Sequence, residues 1–196
     1  MIEPPQTDRK RASVKLAALG IAGLALMVLG AVSLVYLATP KADPLIPKKD
    51  WVSVVPEIVD SPAPELNLTD LDGNPVSLSD TIGQVVLVNN WAFWCPPCRA
   101  ELPELQAYYD AHRQQGFTVI GIEAGDEQVD VAYHAKLFKL TYPIWLDLKT
   151  ESLQAVQRFN LPNSYVIDKK GRMRLAWYGV IDRAMLEKYV TPLLEE

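Results

Sequence analysis

Two cysteines, Cys95 and Cys98, are the chain's full complement, and they stand three apart in Trp94-Cys95-Pro96-Pro97-Cys98. The fully apolar run Val85-Val86-Leu87-Val88 leads toward them as a buried strand. Two prolines follow Cys95, and they suit the first positions of a helix because those positions need no backbone donor. A strand, a tight turn and a helix are therefore expected in immediate succession. With no third thiol to compete, the pair reads as a redox dithiol, against the alternatives of a static disulfide or half of a zinc site. A lone CxxC supplies two metal ligands, and His112 and His134 lack the spacing that would complete four, so no metal is expected.

A thiolate is the attacking species in disulfide exchange, so the useful cysteine needs a stabilised anion together with access. Cys95, at the N-terminal end of the expected helix, faces unpaired N–H groups and the positive end of the helix dipole. Cys95 is thus the expected nucleophile, exposed, and Cys98, one turn deeper, the protected resolving thiol. Glu101 lies three residues beyond Cys98 on the same helical face, where a partly buried carboxyl can exchange a proton with it. An acid that merely complements the helix dipole is the plainer reading. Glu123, ending the second core strand at the sheet edge, is a further acid-base candidate that could equally cap the next helix.

At 196 residues and 49% hydrophobic, the chain has room for one folded domain plus a targeting segment. A net charge of -5 argues against a nucleic-acid partner, which calls for a basic face. From Leu16 to Leu37 no charged residue occurs, and as a helix this run would be roughly 33 Å long, matching a hydrocarbon core of about 30 Å. Residues 16–38 are therefore expected to be an uncleaved transmembrane anchor. Tyr36-Leu37-Ala38 makes a poor cleavage site for the competing signal peptide, and no cysteine nearby can take a lipid. Arg9, Lys10, Arg11 and Lys15 precede the span, while Lys41, Lys48 and Lys49 follow it diluted by Asp43 and Asp50. Residues 1–15 are thus expected in the cytoplasm and the rest outside it, on a single-pass protein of the cytoplasmic membrane.

Prolines 40, 44, 47, 56 and 62, with Pro64 just beyond, make residues 39–63 a semi-rigid spacer, within which Trp51 to Val55 could be a short strand or an interfacial contact. The folded domain is placed at 64–196. Asp72-Gly73-Asn74 between two short alternating runs reads as a hairpin. A helix from Pro96 to about Gln114 stops at Gly116, and Phe117 to Ile122 is a second buried strand. Asp126 to Leu140 and Glu151 to Phe159 read as helices, Pro143 to Leu146 as a short strand. Ser164 to Ile167 and Met173 to Tyr178 close a hairpin through Lys170-Gly171, and Asp182 caps a last helix. Parallel crossovers followed by a hairpin make an α/β fold with a mixed central sheet flanked by helices.

The stretch Val85 to Leu105, with Asn89, Trp91 and Trp94-Cys95-Pro96-Pro97-Cys98-Arg99-Ala100-Glu101-Leu102-Pro103, resembles the active-site segment of membrane-anchored thiol-disulfide oxidoreductases of the TlpA/ResA type, within the redoxin/AhpC-TSA-like part of the thioredoxin superfamily. The resemblance continues through Asp72-Gly73 and through Leu161-Pro162 with Tyr165-Val166-Ile167-Asp168, from roughly Pro64 to the C-terminus. It implies a thioredoxin-like fold with an added N-terminal β-hairpin. It also implies that Pro162 is cis and packs opposite the dithiol, with Leu161 pairing its backbone to an extended client and Trp94 and Pro96 contributing to the client surface. By residue physics alone Pro162 would simply open the next strand. Three departures stand out: Asn90 and Phe93, where an aromatic and a small polar residue are more usual; a short approach through Arg158-Phe159-Asn160; and Asn163 in place of an acid.

The activity implied is disulfide exchange without a cofactor, reducing protein clients, possible examples being apocytochrome c and other metalloproteins under maturation. Because disulfides are the default outside the cytoplasm, such a reductant needs a thiol-reducing electron donor in the membrane. A thiol peroxidase is the competing enzyme, although that chemistry wants an isolated cysteine; a client-binding module with an incidental dithiol is the competitor from another class.

Overall fold

The structure, a computed structural model, describes residues 26–34, 53–125 and 128–196. Residues 26–34 form a helix, α1, whose side chains are exposed. Among the described residues no helix is long and apolar enough to cross a membrane. The expected tail 1–15, most of the expected span 16–38, and the spacer up to Val52 lie outside the described residues.

The remaining chain builds one eight-stranded mixed sheet in the order β1 (Glu57–Pro62), β8 (Arg172–Trp177), β7 (Asn163–Ile167), β4 (Val85–Trp91), β5 (Phe117–Glu123), β6 (Ile144–Leu146), β2 (Asn67–Asp70), β3 (Pro75–Ser77). At its centre lies β4 (Val85–Trp91), every residue of which is buried. It pairs in parallel with β5 (Phe117–Glu123) and antiparallel with β7 (Asn163–Ile167). An apolar run with both faces covered forms such a strand because each face has its own core to fill. On one face Val85, Leu87 and Trp91 join Leu102, Leu105, Tyr108, Leu186 and the two cysteines. On the other, Val86 and Val88 join Leu66, Leu78, Ile120, Trp145 and Tyr165.

Helix α2 (Pro96–His112) follows β4 and ends, through a short 3-10 turn, at Gly116, whose φ of 76° lies in the left-handed region that glycine enters without strain. Across the sheet, β5 carries Gly121, where a Cβ would come within 2.8 Å of Ile144 and 3.0 Å of Tyr142. The missing side chain lets β6 (Ile144–Leu146) and Tyr142 close directly over the strand. The hairpin of β2 (Asn67–Asp70) and β3 (Pro75–Ser77) is present, and the Asp70 carboxylate accepts from the N–H groups of Asp72 and Asn74 across its turn. Helix α5 (Arg183–Tyr189) is capped by Asp182, whose carboxylate accepts from Met185 N, and Val190 separates it from α6 (Thr191–Leu194), which carries Pro192 in its first turn.

Three expectations are corrected. The spacer was expected to reach Ala63, but Glu57–Pro62 form β1, paired antiparallel with β8 (Arg172–Trp177). Its side chains are mostly exposed, so the strand lacks the apolar alternation that marks a half-buried one. Ahead of it, residues 53–55 are not strand; Val54 N donates to Val180 O and Ser53 accepts from Asp182 N, so they too belong to the folded domain. The helix expected over Glu151 to Phe159 stops as α4 (Glu151–Ala155), because Gln157 takes a left-handed φ of 53° and Arg158 N turns back to Leu153 O. The helix expected from Asp126 to Leu140 is α3 (Gln128–Leu137), and its expected start lies outside the described residues.

Candidate active site

Cys95 is the N-cap of α2, with extended backbone, and its Sγ accepts from Cys98 N at 3.3 Å. Pro96 and Pro97 fill the first helical positions, where no donor is lost. The two sulfurs are bonded in a disulfide spanning 5.3 Å between Cα atoms. Both cysteines pack into the core formed with Trp91, Ala92 and Leu102. Cys95 is thus far less exposed than expected, at 4% against 0% for Cys98, because bond and core enclose it together. Of the two, Cys95 alone retains any exposure. Trp94 beside it is 63% exposed and offers an apolar surface at the rim.

One turn beyond Cys98, Glu101 is fully buried rather than partly so. Asn89 Nδ2 donates to its Oε1 at 2.7 Å and Ile181 N to its Oε2 at 3.0 Å. Among the described residues no cation pairs with it. Loss of water therefore dominates, and burial pushes its carboxyl from 4.5 up to about 8, against the lesser pull of the two donors. A carboxyl that holds its proton near neutrality is poised to accept or return one from a neighbouring thiol. A solvated acid serving only the helix dipole does not fit this burial.

The peptide Leu161-Pro162 is cis, as the resemblance implied. Asn90 on β4 lies opposite Asn163 on β7, so Pro162, one position earlier, falls beside Trp91 at the edge from which the chain enters the dithiol turn. Leu161 is half-buried and packs against the core that holds both cysteines. Glu123 ends β5 beside Trp91 and Leu146, and is buried. It stands across β4 from the Pro162 side, and by strand alternation it faces the α2 side of the sheet with Phe117 and Val119.

Other functional neighbours escaped the sequence reading. Asn89 was visible only as part of a motif; its contact with Glu101 needs the crossing of β4 under α2. Asn90, read from the sequence as a change in the surface near Cys95, is instead buried and bonded to the buried Asn163, Asn90 Nδ2 donating to Asn163 Oδ1 at 2.8 Å. Ser152 Oγ donates to Asn90 at 2.6 Å and Asn163 Nδ2 to Asn160 O at 2.9 Å, tying the approach to Pro162 into the sheet. Strand pairing brings these residues together, and no local pattern encodes it. Phe93 stacks on His134 at 3.4 Å and its carbonyl accepts from Arg99 at 2.6 Å, which fixes the turn ahead of Cys95. Among the described residues no group of three or more His, Cys, Asp or Glu gathers as a metal site.

Residues 59–176 match the AhpC/TSA family. The chain belongs to that family. It is 33% identical over 132 residues to the thiol-disulfide oxidoreductase ResA of Geobacillus kaustophilus, covering 67% of this chain and 76% of the relative. It is 28% identical over 130 residues to ResA of Bacillus subtilis, covering 66% and 73%. Among solved structures, a thiol:disulfide interchange protein of the thioredoxin family from Chlorobium tepidum superposes with a TM-score of 0.63 at 28% identity, over 70% of this chain and 99% of that one. The fold of this AhpC/TSA-family chain is thioredoxin-like, and its activity is thiol-disulfide exchange on protein thiols and disulfides.

Proposed function

We propose that the chain is a membrane-tethered, extracytoplasmic protein disulfide reductase. The observation that carries this reading is the isolated dithiol at the N-terminus of α2, lying over a buried carboxyl that no cation neutralises among the described residues. In the working cycle the Cys95 thiolate attacks a client disulfide, forming a mixed disulfide and releasing one client thiolate. Cys98 then gives its proton to Glu101 and attacks the Cys95 sulfur, releasing the second client thiolate. The client has gained two electrons, and Cys95–Cys98 has become the disulfide. A dithiol donor in the membrane returns the electrons by the reverse steps. Leu161 and Pro162 hold the client as an added strand, with Trp94 and Pro96 flanking it, and Glu123 is a secondary acid-base group at the same sheet edge. Clients in keeping with this chemistry are proteins maturing outside the cytoplasm, such as apocytochrome c or another metalloprotein whose cysteines must stay reduced until its group is attached.

The anchor and its orientation rest on the uncharged run Leu16 to Leu37 and the basic cluster ahead of it. A reporter enzyme fused after Glu196 is expected to be active only outside the cytoplasm; cytoplasmic activity would overturn the tether and the client class together.

Direction follows from what stands between the cysteines. Pro96 and Pro97 offer neither a cation nor a side-chain donor to the thiolate. The reduced form is stabilised less than in strongly oxidising relatives, so the potential is expected nearer about -270 mV than about -120 mV. Equilibration against a graded glutathione series measures it. A value at the oxidising end, with rapid disulfide formation in a reduced unfolded client, would recast the chain as an oxidant.

A further inference from the structure

Asn89 sits on β4, fully buried, and its side-chain nitrogen donates in two directions: to Glu101 Oε1 at 2.7 Å and to Ser164 Oγ at 2.9 Å. Ser164 is on β7, two residues after Pro162, directly opposite Asn89 in the ladder. Asn89 Oδ1 is buried too, with no hydrogen-bond partner among the described residues. Resting on the role assigned to Glu101 above, we propose that Asn89 is a positioning residue for the proton-transfer step, holding the Glu101 carboxyl in place and coupling its charge state to the client-bearing end of β7 through Ser164.

The unpartnered oxygen is what makes the amide responsive. When Glu101 is ionised, both of its oxygens accept, and the Asn89 nitrogen is the correct group to face it. When Glu101 takes a proton, its new O–H needs an acceptor, and the oxygens of Glu101 are already turned toward donors. Rotation of the Asn89 amide by half a turn presents Oδ1 to that proton, and the Ser164 hydroxyl, which can donate as well as accept, then bonds the same oxygen. In either state one atom of the amide goes without a partner, so neither orientation is strongly preferred beyond what Glu101 dictates. The groups facing Glu101 from other elements do not compete for this role. Ile181 contributes a backbone N–H, which cannot accept. Tyr142, ahead of β6, is buried, and its hydroxyl, kept neutral by burial and the Glu101 charge, makes no hydrogen bond to Glu101 among the described residues. Cys98 is the proton's source on the same helix.

The test follows the Glu101 carboxyl itself, by carbon-detected NMR titration of the full chain in detergent, with pH-rate profiles of exchange recorded on the same samples. In the parent a midpoint near pH 8 is expected. N89L removes a donor to the charged form and should raise the midpoint by about one pH unit or more. S164A should raise it by less when Asn89 is present, since the amide is then free to turn, and not at all in the N89L background. N89L with an unmoved midpoint overturns the proposal, and so does an S164A effect equally large in both backgrounds. N89Q, which keeps the amide, should recover part of the parent midpoint, whereas equal behaviour of Gln and Leu would reduce Asn89 to packing and sink the idea. If the midpoints move as expected while the rate profiles do not follow, the proton-relay role of Glu101 fails and the Asn89 coupling stands.

Discussion

The chain carrying Cys98→Ser is expected to stop turning over and to accumulate one covalently bound client per molecule. Cys95 remains at the N-terminus of α2, where its thiolate is favoured, and its Sγ retains the Cys98 N–H geometry that the helix imposes. Attack on a client disulfide therefore proceeds, but a serine hydroxyl cannot resolve the product. Isolation of membrane proteins under thiol-blocking conditions, followed by reduction, would release the clients for identification. Cys95→Ser is the control: Cys98 is fully enclosed, so this variant should trap nothing. Trapping by the Cys95 variant instead would reverse the roles of the two sulfurs, and no trapping by either would remove disulfide exchange from the chain's activities.

The second large effect concerns Glu101→Gln, which should slow the resolving step by about 100-fold or more and abolish its dependence on pH near 8. An unchanged pH-rate profile would return Glu101 to a structural role. Stability should move the other way. The folded chain holds the Glu101 proton up to about pH 8, whereas the unfolded chain releases it near 4.5. This group's contribution is therefore fully present below 4.5 and is lost as the pH climbs through about 8. At about 1.4 kcal/mol per pH unit the loss reaches several kcal/mol in the parent and is absent in the glutamine variant. Denaturant titrations at pH 5 and pH 9 compare the two. The stability difference between variant and parent should grow in favour of the variant at the higher pH, and a constant difference would show that the carboxyl titrates no differently when folded.

Much of this was readable from the amino acids because the signals were local. Val85 to Val88, the two prolines after Cys95, Gly116 and the Asp182 cap each act within a few residues, and the elements they mark are present with small changes in length. The cis state of Pro162 was legible only through resemblance, since a proline at the head of a strand is ordinarily trans. What remained hidden was decided by pairing across the sheet. Ile58, exposed on β1, gives no inward alternation, and the strand exists because β8 offers it a ladder. Asn90 looked like a surface variation, yet β7 and α4 surround it and give both ends of its amide a partner. The full burial of Glu101 likewise depends on β4 and on the segment before α5, which are far from it in sequence.

The two strands that end the sheet have a consequence for an enzyme that exchanges disulfides with other proteins. β3 is three residues long and begins with Pro75, while β1 carries Pro62, an irregular register between Ile58 and Ser61, and Asp60 held by Arg172 at 2.7 Å. Prolines, breaks in register and edge charges all oppose the addition of a further strand. A client whose disulfide has just been opened is prone to add itself to any free ladder, and at these borders it finds poor purchase. Neither border of the sheet thus invites a bound protein to extend it into a larger ladder.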